Sequence, residues 1–415
     1  MAEAIASARV HPIVAAARQS ATWIAIALGF SLCVSTALDN VLLVLLLLCW
    51  LAGGDWRERL ARTRNNPVAI AALLLFGALA LGIAWSPGPF AERFAYFKKY
   101  SDLVLIPILG TIFVDATTRR RGLLAFAVTL AITLVLSYAL AAGVPPPPKF
   151  ITGDASNPTV FKRHITQNLL MAYGALLFTA LAWRAATPMA RRVWGALAAL
   201  AAFNVLFLVQ GRTGYVVLAV LAVLLLFRWL RWRGVLAAIV LLTATAAAAY
   251  SFSKSFHGRV DLAVAGISQW HPGVANNDPV GVRLEFYTNT LAIIRAHPLL
   301  GVGTGGFVRA YAEHVQGSAM GATTNPHNQY LLITAQLGIV GLGLLLWLFA
   351  QQCRYAGRLQ PDSYPLLAYA LVLSIIVGSF FNSLLIDHAE SLFYCWLSGL
   401  LFAQLGDQGE HAGTT

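Results

Sequence analysis

The feature that most restricts this chain is the recurrence of apolar runs, each about one helix long, over nearly its whole length. In a bilayer no water meets the backbone, so such runs fold as helices that satisfy their own N–H and C=O groups. They predict twelve candidate spans, at roughly 21–38, 40–54, 67–85, 95–114, 122–142, 165–183, 193–210, 213–229, 234–250, 329–350, 364–385 and 390–405. The second is short for a bilayer. The fourth opens on the polar turn Lys98-Lys99-Tyr100-Ser101-Asp102 and is the weakest by hydropathy. Hydrophobic residues make up 58% of the chain and charged residues 11%, which excludes an ordinary soluble domain. The net charge of +12 does not point to nucleic acid, because the cations sit in short clusters between apolar runs. The four cysteines lie in or beside apolar runs at no metal-binding spacing, so no disulfide framework is implied. The first run lacks the cleavage site of a signal peptide and reads as a retained span.

Basic residues in short loops set orientation. Arg57, Arg59, Arg62 and Arg64, then Arg119 to Arg121, Arg184, Arg191 and Arg192, Arg228, Arg231 and Arg233, and Arg354 and Arg358 fall on alternate connections. That side is expected to be cytoplasmic and to hold both termini. One connection on the other side is different: Ser251 to Asn328 is long and polar, with repeated turn residues and a helix-period segment. A loop of that length is functional or disordered; its pattern predicts an ordered cap. The expected organisation is residues 1–250 with helices one to nine, a 251–328 lobe, and 329–415 with the last three helices and a C-terminal tail.

The expected outer face gathers cations against the usual bias. Arg93, Lys98 and Lys99 lie near the fourth span. Lys149, Lys162, Arg163 and His164 follow the stiff Pro145 to Pro148 run, and Arg212 sits in a tight turn. Lys254, Arg259, Arg283, Arg295 and Arg309 belong to the long loop. A polyanionic ligand such as a lipid-borne diphosphate would account for them. Arg212, pinned between two spans and flanked by glycines, offers a rigid fork to phosphate oxygens, where the plainer alternative is a snorkelling arginine. In the helical stretch Pro279 to Ala296, the stripe Leu284, Tyr287, Leu291 and Ile294 packs, leaving Arg283 at its edge to face a polar cavity or to pair with Glu285 or Asp278. The glycine run Gly301, Gly303, Gly305 and Gly306 suits a tight packing turn better than a phosphate nest. Asn325 is placed to cap the tenth span with Pro326 at its first position. His327 would then stand in the first turn, where the helix dipole disfavours imidazolium and suits a general base. A structural histidine is the alternative, and His164 is the rival base. Outer carboxylates are sparse, with no metal-binding constellation, so phosphate neutralisation by arginine and lysine is expected and no metal or cofactor is called for.

Arg212-Thr213-Gly214, Gly281-x-Arg283-Leu284, His297-Pro298-Leu299-x-Gly301-x-Gly303 and Pro326-His327-Asn328-x-Tyr330-Leu331 together resemble the O-antigen ligase family, within the wider ligase and polymerase superfamily. The expected twelve spans and long ninth-to-tenth loop resemble it too. The resemblance implies an all-α GT-C-like glycosyltransferase of a bacterial inner membrane, inverting and metal-independent. It would move a glycan from undecaprenyl diphosphate to a sugar hydroxyl of lipid A–core at the periplasmic face. It assigns catalytic roles to Arg212, Arg283 and His327. Lys162, Arg163 and His164 are placed to add diphosphate contacts. Many GT-C enzymes carry a catalytic acidic residue in the first outer loop; here only Asp39 is available. An O-antigen polymerase and a protein O-oligosaccharyltransferase share the donor and remain open. A lipid or glycan transporter is the rival of another class, disfavoured because the cations gather at the rim rather than deep in spans.

Overall fold

The computed structural model describes residues 11–144, 153–252, 254–271, 278–317 and 321–407. The Pro145 to Pro148 run and Lys149 lie outside the described residues. Among the described residues the chain is helical, with one isolated bridge between Asp154 and Asn157. In order the helices are α1 (Pro12–Ser31), α2 (Thr36–Ala52), α3 (Trp56–Asn65), α4 (Pro67–Gly82), α5 (Phe90–Phe97), α6 (Leu105–Gly110), α7 (Ala116–Ala141), α8 (His164–Arg184), α9 (Pro188–Phe203) and α10 (Arg212–Leu230). There follow α11 (Trp232–Phe252), α12 (Lys254–Ser268), α13 (Pro279–Ala296), α14 (Phe307–His314), α15 (Gln329–Ala356), α16 (Ser363–Gly378) and α17 (His388–Leu401).

Six helices among the described residues are long and apolar enough to cross a membrane, or seven if α2 and α3, bent by 114°, count as one span. By length and composition these helices account for six or seven of the twelve expected spans. At 1.5 Å per residue, the 16 residues of α4 and α16 reach only about 24 Å, short of a hydrocarbon core of about 30 Å. The expected fourth span is not one helix. It divides into α5, a 3₁₀ stretch over Lys98–Val104 and the six-residue α6. The polar turn that weakened it by hydropathy is where it breaks.

The bundle is built around α17. Residues Ala389 to Leu401 are all buried, as befits a helix that is apolar all round. Trp396 is fully buried, donates its indole N–H to the Ala25 carbonyl at 2.9 Å and meets Phe113 edge-on at 5.7 Å. A side chain at Gly29 on α1 would collide with that indole, so the glycine sets how closely α1 approaches. Lower on α17, Ser398 accepts from Gln352 and Tyr394 donates to the same Gln352, each at 2.8 Å, which satisfies the buried polar groups.

The stretch 251–328 holds α12, α13 and α14 rather than a bare loop. It is fastened to the bundle by the glycine run. Val302 N–H donates to the Ala335 carbonyl at 2.9 Å, Gly303 N–H to Gln336 at 2.8 Å and Thr304 N–H to Gly82 at 3.0 Å. Gly305 N–H donates to Gln336 Oε1 at 2.9 Å. Gly301, Gly303 and Gly305 all have positive φ, where a glycine is at ease. Their amides are spent on protein, so the run is the packing turn and not a phosphate nest. Its counterpart is a break in α15. Gly338 takes φ 61°, and Ile339 N–H leaves the helix ladder to bond the Pro298 carbonyl at 2.9 Å. The freed backbone groups of the span are thus satisfied by the inserted loop.

Candidate functional site

His327 stands at the head of α15, but not in its first turn. Asn328 is the N-cap, its side chain accepting from Leu331 N–H at 3.0 Å, and the helix begins at Gln329. Asn325 instead caps a local turn, its Oδ1 accepting from His327 N–H at 2.8 Å. The predicted cap was therefore one turn early, and the dipole argument does not apply to the ring as framed. His327 holds a left-handed φ of 55°, a conformation costly outside glycine and found at functional sites.

What holds the ring is a chain that the motifs did not show. His327 Nδ1 lies 3.1 Å from Asn382 Oδ1, and Asn382 Nδ2 donates to Asp387 Oδ2 at 2.7 Å. With Nδ1 protonated every donor in this chain meets an acceptor. Among the described residues no hydrogen bond engages Nε2, so none of them occupies its lone pair. Asp387 is half-buried. Burial pushes its carboxyl above the usual carboxylate range, and the Asn382 hydrogen bond and the charges of His327 and Lys99 pull it partly back. Phe286 stacks on His327 with ring centres 6.2 Å apart, and the Tyr287 hydroxyl bonds the Phe380 carbonyl at 2.9 Å and the His327 carbonyl at 3.4 Å. Burial raises the Tyr287 phenol, and Arg283, one turn earlier on α13, opposes that rise. Arg283 therefore flanks the residues that touch His327. Asp278, one of its possible partners, caps α13 through Val280 and Gly281 N–H at 2.8 and 3.0 Å.

Arg212 is exposed and opens α10. Its neighbouring glycines have a packing reason: a side chain at Gly211 or Gly214 would run into Asn168 of α8. Asn168 Nδ2 also donates to the Val209 carbonyl at 3.0 Å. The glycines that set Arg212 apart from a snorkelling arginine thus serve helix contact. A different feature marks the position. Neither α10, capped by Gly211, nor α8, capped by Arg163, has a side-chain cap hydrogen bond, and neither has an acidic residue in its first turn. Arg212 at the first position of α10, and Arg163 and His164 at the start of α8, place cations on the positive poles of two helices. That is electrostatically adverse unless an anion is shared between them. The start of α8 is in turn tied to the start of α17, where the Thr166 hydroxyl donates to Glu390 at 2.6 Å.

Other cations are committed elsewhere. Lys162, with a side chain only 10% exposed, points into the protein, 3.7 Å from the fully buried Asp39 and 3.2 Å from the Thr36 hydroxyl. Asp39 accepts from Ser31 at 2.6 Å and lies 3.6 Å from His388 Nε2. Asp39 is thus fully buried and engaged by Ser31, Lys162 and His388. Arg93 donates to the Ile83 and Ser86 carbonyls at 2.9 Å each, and Arg309 pairs with Glu313 at 2.8 Å. Among the described residues no group of three or more His, Cys, Asp or Glu side chains is arranged to hold a metal ion.

Residues 197–346 match the family model described as O-antigen ligase, Wzy_C, an interval that contains all four sequence motifs. The match supports an enzyme of the O-antigen ligase and polymerase type in a multi-pass membrane protein. No curated protein matches significantly. Among solved structures, the chain aligns with one chain of "Structural coordination of polymerization and crosslinking by a peptidoglycan synthase complex" at 18% identity, covering 83% of this chain and 98% of that chain with a TM-score of 0.48.

Proposed function

We propose that this protein is a glycosyltransferase that moves a glycan from undecaprenyl diphosphate to a sugar hydroxyl of lipid A–core, at the periplasmic face of a bacterial inner membrane. The observation that carries the reading is the His327–Asn382–Asp387 chain. It fixes the tautomer that leaves Nε2 as a proton acceptor and sets a carboxylate where imidazolium charge would develop. In this reading the acceptor hydroxyl loses its proton to His327 Nε2 as its oxygen attacks the anomeric carbon. The bond from that carbon to the diphosphate oxygen breaks, and the lipid diphosphate leaves with the electron pair. Arg212, Arg163 and His164 on the α8 and α10 poles, with Arg283 at the edge of α13, stabilise that leaving charge. Lys162 joins them only by giving up Asp39. The reaction proceeds with inversion and without a metal ion.

The test is transfer by purified protein in a bilayer, with lipid-linked glycan as donor and either lipid A–core or a second lipid-linked glycan as acceptor. Transfer to lipid A–core is expected, and chain extension alone would assign the protein to polymerisation. A positioned base contributes about a hundred- to ten-thousandfold, so His327→Ala should lower turnover by that order with donor affinity little changed. A parallel loss of donor binding would make His327 a phosphate ligand instead.

A further inference from the structure

At the end of the bundle opposite His327, a second polar site opens between α1, α2, α3 and α6. It is a cavity of about 140 Å³ lined chiefly by Arg18, Thr22, Asp55, Glu58, Arg59 and Arg62. The helix α2 carries Asp39 in its first turn, beside His388, and ends near this cavity about 20 Å away. Its depth in a membrane follows from what surrounds it. The polar helix α3 leaves α2 at 114° and so lies along the bilayer plane wherever α2 crosses it. Trp50 and Trp56 meet edge-on at 5.1 Å, with the Arg59 guanidinium over both at 4.9 and 5.4 Å, an aromatic and basic pairing suited to headgroup level.

The charges in this cavity are sorted by depth. The Arg62 and Arg18 side chains are 18% and 37% exposed, while Asp55 and Glu58 at the rim are 49% and 59% exposed. Arg18 pairs with Asp55, and Arg62 with Glu58 and Asp407. Arg59 has no carboxylate within ion-pair distance among the described residues, and its guanidinium donates to the Trp50 carbonyl. The three cations are thus matched by the three carboxylates Asp55, Glu58 and Asp407, with Arg59 reached by Asp55 and Glu58 only at longer range, a balance suited to a zwitterion. The exposed apolar face of α2, with Val44, Leu48 and Leu51, leads up to the same cavity.

We propose that this cavity binds the phosphoethanolamine headgroup of a membrane phospholipid, with phosphate against Arg59 and Arg18 and ammonium against Glu58 and Asp55. The volume suits a headgroup and is too small for a drug-sized ligand. The adjoining apolar face of α2 gives the acyl chains a track, which favours a lipid over a soluble phosphate ester. The site lies apart from the transfer chemistry and does not depend on that reading.

The test uses delipidated full-length protein titrated with phosphatidylethanolamine, phosphatidylglycerol, phosphatidylcholine and soluble phosphoethanolamine, with bound species counted by native mass spectrometry. Phosphatidylethanolamine should bind about tenfold tighter than either other lipid, the order of one charge-assisted contact. Glu58→Gln should erase that preference over phosphatidylglycerol. Arg59→Gln should weaken all phosphate binding. Because Arg59 also holds the Trp50 carbonyl, Thr22→Phe supplies a second probe: it fills the cavity without removing a charge and should block binding in a protein of unchanged elution volume. Phosphatidylglycerol binding as tightly as phosphatidylethanolamine, or full binding by Thr22→Phe, would overturn the proposal. Equal affinity for soluble phosphoethanolamine would overturn the lipid as its source.

Discussion

Asp387→Asn separates a catalytic chain from a merely tidy one. The variant keeps the shape and the contact to Asn382 but removes the charge. The two hydrogen bonds of 2.7 and 3.1 Å, joined through one amide, put the carboxylate about 7 Å from the imidazole. For a half-buried pair an effective dielectric of about 40, between near-surface protein and water, gives about 1.2 kcal/mol of attraction for the positive charge that the ring gains during transfer. Removing the carboxylate charge should therefore lower turnover by up to about tenfold. The assay is transfer rate for wild type, Asp387→Asn and Asn382→Ala, with donor affinity measured separately. Asn382→Ala should show a similar loss, since the ring loses its fixed tautomer. Undiminished turnover in Asp387→Asn, or a loss matched by loss of donor binding, would refute the reasoning.

Arg212→Lys and Arg283→Lys keep the charge but lose the two-pronged geometry, and each should reduce transfer by roughly tenfold or more. Near-normal rates in both would show a diffuse electrostatic role. Transfer should survive excess chelator; loss restored by magnesium or manganese would assign a metal to the reaction. Asp39→Asn alone leaves Lys162 without its partner and should cost about 3–5 kcal/mol of stability, Lys162→Gln alone should cost less because Asp39 keeps His388, and the double variant should cost less than the two singles together. Denaturant unfolding in detergent reads this, and additive losses would show that the two do not interact.

The helices were legible because their cause is local: an apolar run must form one in a bilayer. The fate of the polar turn at Lys98 to Asp102 was half legible. Its charges argued against a continuous span, but nothing nearby announced a 3₁₀ stretch between two short helices. The break at Gly338 was not legible, since the loop that compensates it, through Pro298 bonded to Ile339, enters from 41 residues earlier in the chain. His327, Arg283 and Arg212 were candidates from the motifs and the resemblance they carry, whereas Asp387 and Asn382 gave no such signal. The two sit at the entry to the last helix, and only the fold brings Asn382 to a histidine 55 residues away. The cap at His327 was misplaced for a related reason. Asn325 and Asn328 both have the chemistry of an N-cap, and Gln329 settles the choice by donating its N–H to the Ser379 carbonyl of α16's end at 2.8 Å. Lys162 and Asp39 looked like surface groups by position, because hydropathy does not register that two opposite charges are buried together.

The layout of the two halves of the site bears on stereochemistry. Displacement with inversion needs base and leaving group on opposite sides of the anomeric carbon. In the proposed reaction the base side is at the heads of α15 and α17, through His327, Asn382 and Asp387. The leaving-group side in that proposal is at the heads of α8 and α10, with Arg163, His164 and Arg212. The contacts Thr166–Glu390 and Asn168–Gly211 order these heads as α17, α8, α10. Neighbouring helices in a bundle stand about 8–10 Å apart, enough to set a sugar ring between the two groups. Were His327 the phosphate ligand, acceptor and leaving group would crowd the α15 side, and Arg212 at the head of α10, which has no ion pair among the described residues, would face no anion. The cost of leaving cations on the α8 and α10 poles is the reason to place the diphosphate there and the hydroxyl at Nε2.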